Sequence, residues 1–328
     1  MAKAGTLRGA RELPAGERGV YHRLMLAPTL LAAAAAVLAG GQISLVSVPE
    51  GRVTATVALP GTGAALFSAP DGSLVVPLAS SDETVVIGPN GDLQRWPGRV
   101  FPLFFDEFDR MYVVMPEKLV CLAFPQRAEI SRVLLPGTAG AYRAVVSSDG
   151  LAVALLAAPP ARRELVVVVP RGESHVEKTS LGCEPLALTM DPAGGWVLTG
   201  CRDGGLEMMA GGETPARGST RLDGEIVDLA PAPDGRSALA AVAGDGRAWL
   251  AGVRVKPRSR RPLKETFTTA LPWLPVALAV RDDEVLVAGE GGVVLLRHGG
   301  RKITGQIALP GARAVAFLPE APVSGEAP

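Results

Sequence analysis

The stretch Arg52-Val53-Thr54-Ala55-Thr56-Val57-Ala58-Leu59-Pro60-Gly61 decides the fold, because it returns twice in altered form. Ala128-Glu129-Ile130-Ser131-Arg132-Val133-Leu134-Leu135-Pro136-Gly137 and Lys302-Ile303-Thr304-Gly305-Gln306-Ile307-Ala308-Leu309-Pro310-Gly311 keep its β-rich, alternating character and its Leu-Pro-Gly ending. Alternation marks a half-buried strand, and Pro-Gly closes it in a turn. The prolines at 60, 136 and 310 stand at intervals that divide into two and four units of roughly 40 residues, the length of a four-stranded propeller blade. Weaker endings at Trp96-Pro97-Gly98, Leu181-Gly182, Leu222-Asp223-Gly224 and Leu271-Pro272 fill the vacant places and make seven in all. The expectation is an all-β, seven-bladed β-propeller.

Within each unit the order is an apolar strand, a polar turn, a second strand, a short loop, a third strand and then the recurring phrase. Pro70-Asp71-Gly72, Ser148-Asp149-Gly150, Asp191-Pro192-Ala193-Gly194 and Pro233-Asp234-Gly235 supply the side-chain caps and positive φ that tight reversals need. Runs such as Glu164-Leu165-Val166-Val167-Val168-Val169 are nearly continuous in apolar character, as strands packed on both faces are. The last strand pattern, Ala312 through Leu318, meets the first, Gln42 through Val48, and the phrase 52–59 in one composite blade. Only three strands can be counted there, so either one strand is missing from the count or the ring holds six full blades with irregular ends.

The landmark strand, Pro-Gly loop, apolar strand, Pro-Asp-Gly turn and Val-rich strand together resemble the YVTN-type β-propeller repeat, a relative of the WD-type repeat, over residues 42–318. The best copy is 53–91. The unit at 96–126 departs from the pattern, with Asp106-Glu107-Phe108-Asp109 in place of Pro-Asp-Gly, and is expected to be a weakened blade. The resemblance implies an extracytoplasmic seven-bladed propeller that serves as a binding platform, a hydrolase or a dehydrogenase subunit, without choosing among these roles.

Composition agrees. Thirty-nine Gly and 28 Pro suit a turn-dense sheet protein, and 33 basic residues against 33 acidic ones leave no excess to attract nucleic acid. Residues 1–41 read as an export signal or membrane anchor: Lys3, Arg8, Arg11, Arg18 and Arg23 precede an apolar, helix-like run from Leu24 to Ala39. Cleavage after Val37-Leu38-Ala39 fits a signal peptide, and retention would tether the propeller to a membrane, placing it in the periplasm or outside the cell. Residues 42–320 are assigned to the propeller and 321–328 to a disordered tail. Cys183 and Cys201 flank the turn at Asp191 closely enough for a cross-strand disulfide, while Cys121 reads as core.

Catalytic signals are sparse. The three histidines, His22, His175 and His298, give little material for a Ser-His-Asp or Cys-His mechanism. The loops joining second to third strands carry Asp82, Glu117, Asp203, Asp245 and Glu290 in five blades. A ring of these carboxylates around the channel mouth could hold a divalent cation and support lactone hydrolysis; short turns also favour acids beside Gly, which explains them without a ligand. No other cofactor is called for. The loop bearing Arg254, Lys256, Arg258, Arg260 and Arg261 is a candidate contact for an acidic partner or anionic lipid, or else a solvated insertion. The expected function is an exported or membrane-tethered module that binds a protein or small ligand, the alternatives being a metal-assisted, lactonase-like hydrolase and a subunit of a periplasmic redox complex.

Overall fold

The computed structural model describes residues 35–48, 50–98, 103–106, 108–169, 175–210 and 216–319. They form seven four-stranded antiparallel sheets. Blades 1 to 6 span 67–97, 103–134, 141–180, 185–221, 225–270 and 275–308, and blade 7 combines Ala312–Phe317 with Ala35–Ala39, Gln42–Ser47 and Arg52–Ala58. First strands of successive blades pack beside one another from blade 2 through blade 7 and on to blade 1, as the inner wall of a propeller does.

Burial explains the sequence pattern. The two middle strands of a blade lie between neighbouring sheets, so Val153–Ala157 and Val197–Cys201 are buried at every residue. The recurring phrase is the fourth, outermost strand. Arg52–Ala58 buries only Val57, Ala128–Leu134 only Val133 and Lys302–Ala308 only Ile307, so one apolar side chain pins each edge while Thr, Gln and Arg face water. At the reversals from first to second strand, Asp71, Asp149 and Asp234 accept the N–H two residues on at 2.8 to 2.9 Å, and Gly72 takes φ 84°.

The composite blade has its full complement. Ala35–Ala39 pairs with Ala312–Phe317 on one side and with Gln42–Ser47 on the other, in a sheet ordered last strand, 35–39, 42–47, 52–58. This is the strand the sequence count lacked, and the ring has seven blades, not six. Residues 35–41 therefore belong to the propeller rather than to a leader ending at 41. An apolar helix is not found there, because Ala35, Ala36, Val37 and Leu38 are wholly buried between sheets. A strand packed on both faces is continuously apolar, and such a run cannot be told from a helix or a leader by periodicity. Residues 1–34 and the tail 321–328 lie outside the described residues. Among the described residues the helical element is a single 3₁₀ turn, Pro160–Arg162, and no helix is long and apolar enough to cross a membrane.

Blade 2 replaces the missing Pro-Asp-Gly turn with a buried polar network, although its first strand, Leu103–Phe105, is only three residues long. The Asp106 carboxylate, with its side chain fully buried, accepts the N–H groups of Phe108 and Arg110 at 3.0 and 3.1 Å, Arg110 Nε at 2.6 Å and the Tyr112 hydroxyl at 3.1 Å. Arg110 Nη2 also donates to the Asp149 carbonyl at 3.1 Å, tying this turn to the equivalent turn of blade 3. A buried carboxylate met by this many donors is a stable arrangement. Phe104 is buried, whereas Phe108 is 55% exposed beneath the Arg110 guanidinium and does not fill the core.

The closing strand yields a direct test. A chain started at Leu30 is expected to unfold in one cooperative thermal transition, whereas one started at Gly40, the product of cleavage after Ala39, loses it. Circular dichroism melting checks both, and any processed form should begin at or before residue 35.

Candidate functional site

Chain direction sorts the loops into two faces. Loops from second to third strand and from fourth strand to the next blade emerge on one face, termed upper; the remaining turns emerge on the other, termed lower. The five acids expected to form a ring all lie on upper loops and are all exposed, and no three of them bring ligand atoms within 4.8 Å of one another. Glu117 accepts the Gly137 N–H at 3.2 Å, and Asp203 accepts the Gly205 N–H at 3.1 Å and faces Arg221 at 3.6 Å. Asp82 stands on blade 1, where its carbonyl holds the Gly98 N–H at 2.9 Å. Among the described residues, the one set of three metal-capable side chains with ligand atoms within 4.8 Å of one another is Cys183, Cys201 and Glu207. That set is a structural staple: the two sulfurs form a disulfide with Cα atoms 5.9 Å apart, and Glu207 Oε1 accepts the Gly182 N–H at 2.9 Å.

Asp245 and Glu290 do share a site. Both line a cleft of about 890 Å³ over the upper edge of blade 5, together with Asp223, Glu265, Arg247 and two tryptophans, Trp249 and Trp273. Four carboxylates thus face one guanidinium, and none of the five is ion-paired among the described residues. The chain has only four tryptophans, so two in one cleft concentrate the scarcest large side chain at this place. Trp249 packs on the core shared by blades 4 and 5, Trp273 on that of blades 5 and 6, which anchors both rings. The Trp273 Nε1–H is buried with no hydrogen-bond partner among the described residues, an uncommon state for an indole donor. Leu274, beside it, is 39% exposed.

Local sequence builds this site. Trp273 follows Leu271-Pro272 at the position where the strong copies of the phrase have Gly, so the ring lies where other blades merely turn. Gly289 and Gly291 make room for it: a Cβ at Gly291 would stand 2.6 Å from Trp273 Cε3, and one at Gly289 would strike the ring and the Leu274 carbonyl. The glycine-rich string at 289–292 is therefore both a turn and a seat for an indole. Asp245 occupies the tip of its turn with φ 48°, a conformation Asp tolerates better than most residues. Trp249, Trp273, Asp223 and Glu265 were not singled out by sequence reasoning. Their signal was the exchange of Gly for Trp in the phrase.

The ionisable lining of the cleft is four carboxylates and one guanidinium. What it offers is negative potential beside aromatic faces, the combination that holds a cation with an apolar body. On the channel wall, Asp228 of the strand Glu225–Pro231 accepts the Leu229 N–H at 3.0 Å and, from blade 6, the Leu278 N–H at 2.8 Å. Burial pushes its carboxyl above the usual range, opposed by Arg143 and by these two N–H groups. The predicted basic contact residues Arg254, Lys256, Arg258, Arg260 and Arg261 lie at the lower end of blade 5 and all are exposed, while the cleft runs from the two tryptophans at the upper end along the outer strand to Glu265.

No protein-family model and no curated protein matches the sequence. Solved structures do. A functionally unknown protein of Desulfotomaculum acetoxidans superposes with a TM-score of 0.71 at 12% identity, over 88% of this chain and all of that one. The periplasmic gluconolactonase of Pseudomonas aeruginosa gives 0.66 at 15% identity over 88% and 99% of the two chains, and hydrazine synthase of Kuenenia stuttgartiensis 0.65 at 13% over 79% and 90%.

Two measurements check the arrangement. Replacing Cys183 and Cys201 together by Ser, which opens a link across 18 residues of sequence, is expected to lower the unfolding free energy by about 3 kcal/mol, read from urea denaturation. For Asp228, a folded pKa above the unfolded one means that the native state holds the proton to higher pH, so this group's contribution to stability declines as pH rises through that window. Asp228→Asn removes that slope, and urea midpoints taken from pH 4 upward should shift in favour of the variant as pH increases. At these similarities the comparisons establish a shared seven-bladed β-propeller fold and leave the choice of function to the site.

Proposed function

We propose that this protein is an exported binding or assembly module, related to the YVTN-type propellers, whose cleft over blade 5 takes a cationic group presented by a ligand or partner. The observation that carries this reading is the pairing of Trp249 and Trp273 with Asp223, Asp245, Glu265 and Glu290 in one cleft of about 890 Å³. A cation over an indole gains about 0.5–1 kcal/mol when exposed and about 2 kcal/mol or more when desolvated, and the surrounding carboxylates draw it in. The Cys183–Cys201 disulfide supports an oxidising compartment, in keeping with the basic-then-apolar leader sequence. The hydrolase alternative finds no support in the placement of the five acids, since no three of them converge. Likeness in fold to a gluconolactonase and to hydrazine synthase does not select either chemistry, because the same scaffold hosts both.

Titration of intrinsic tryptophan fluorescence with a tri-arginine peptide tests the reading. Saturable quenching is expected for the wild type, with affinity reduced about tenfold, or 1.4 kcal/mol, in Asp245→Asn with Glu290→Gln, and abolished in Trp273→Ala. A tri-glutamate peptide should give no response. Equal affinities for wild type and variants would remove the cleft from the function.

A further inference from the structure

We infer that the lower face carries a second, independent site: a rigid basic hairpin on blade 5 that docks on an anionic lipid bilayer. Its strands, Arg247–Val255 and Leu263–Ala270, have nine and eight residues, against six and seven in the equivalent hairpin of blade 6, so the tip reaches farther from the ring. The base is fixed. Val255 and Leu263 are buried in the core shared with blade 4, Pro262 packs against Gly218 of blade 4, where a Cβ would collide with its ring, and Val255 N–H donates to the Arg236 carbonyl at 2.7 Å. The loop itself is closed by Lys256 N–H donating to the Pro262 carbonyl at 2.7 Å and Ser259 N–H to the Lys256 carbonyl at 2.9 Å.

From this base Arg254, Lys256, Arg258, Arg260, Arg261 and Lys264 all project into solvent. Eight cations elsewhere, Arg95, Arg110, Arg132, Lys178, Arg202, Arg221, Arg281 and Arg297, each meet a carboxylate, and the cations without one are scattered over the ring rather than gathered in a single loop. None of the six hairpin cations has an ion pair among the described residues. Arg254 and Lys264 are moreover direct cross-strand partners, and like charges so placed repel unless an anion lies between or above them. The structure thus holds a set of uncompensated charges in a preorganised array.

Two observations select a bilayer as the partner. Residues 256–262 contain no aromatic or large aliphatic side chain to serve as the anchor of a protein interface, so recognition rests on charge density alone. The chain also enters the ring on this face: Ala35 pairs with Phe317 and Val46, at the same end of the sheet as the turn after Ser47 and hence of the hairpin tip. The apolar sequence 24–34 is joined to the face toward which the hairpin points.

Co-sedimentation of the full chain with vesicles of phosphatidylcholine alone, or of phosphatidylcholine mixed with phosphatidylserine, tests this. The wild type should prefer the anionic vesicles and lose that preference at high salt. Replacing Arg258, Arg260 and Arg261 by Gln should lower the anionic-vesicle affinity roughly 100-fold, leave binding to neutral vesicles unchanged, and leave the melting temperature and the tri-arginine titration as in the wild type. Equal binding to both vesicle types, an unchanged preference in the triple variant, or arginine-dependent binding to polyglutamate in the absence of any vesicle preference would each overturn the inference. Because vesicle binding reads the hairpin arginines and the tri-arginine titration reads the tryptophans, failure here is distinguishable from failure there.

Discussion

The ring depends on one pairing: the strand Ala35–Ala39 inserted between Ala312–Phe317 and Gln42–Ser47. Without it the composite blade would have an unpaired inner strand at one end of the chain and an incomplete sheet at the other. Inserted, it satisfies the backbone donors and acceptors of both neighbours and buries Val37 and Leu38 completely. Closure also fixes the position of every other blade, since each sheet packs only on the two beside it. The Ala-rich composition follows from this place, because small side chains let a strand sit between two neighbours with sheets on either face.

Once the ring is closed, its two faces are chemically different. The overall charge balances, with 33 basic and 33 acidic residues, yet the upper edge of blade 5 gathers carboxylates around two indoles while the lower end of the same blade carries a run of arginines and lysines. A neutral chain can therefore present strong local fields of opposite sign. Both lie on the blade whose third and fourth strands are the longest of their kind, so the extra length separates the two regions rather than adding core.

Departures from the repeat are compensated where they occur. Blade 2 lacks the Pro-Asp-Gly turn, and in its place Asp106, Arg110 and Tyr112 form a buried network that reaches the Gly150 region of blade 3. Burial also drives the Tyr112 hydroxyl well above its ordinary titration range and raises that of the Cys121 thiol beside it. Blade 4 has a disulfide that joins Cys183, just ahead of its first strand, to Cys201 at the end of its second, where Cys201 is wholly buried.

The sequence by itself determined a propeller of repeated four-stranded units, because the Leu-Pro-Gly phrase, its spacing and the Asp-Gly turns act through local forces: strand alternation, fixed φ at Pro and side-chain capping; that the ring has seven full blades was decided by the strand 35–39, which only the tertiary structure placed. It also brought Cys183 and Cys201 opposite one another, since a short turn leaves a hairpin little choice of register. It misplaced the boundary at residue 41, because a strand buried on both faces has the same apolar signature as a leader. It placed five acids in upper loops, yet whether they meet depends on how neighbouring blades are rotated about the axis, which no local pattern encodes. Only the tertiary structure separated Asp82, Glu117 and Asp203 from Asp245 and Glu290, and brought the latter two to Trp249 and Trp273. The same packing set the basic hairpin and the entry of the chain on one face, by making strand direction common to all seven sheets.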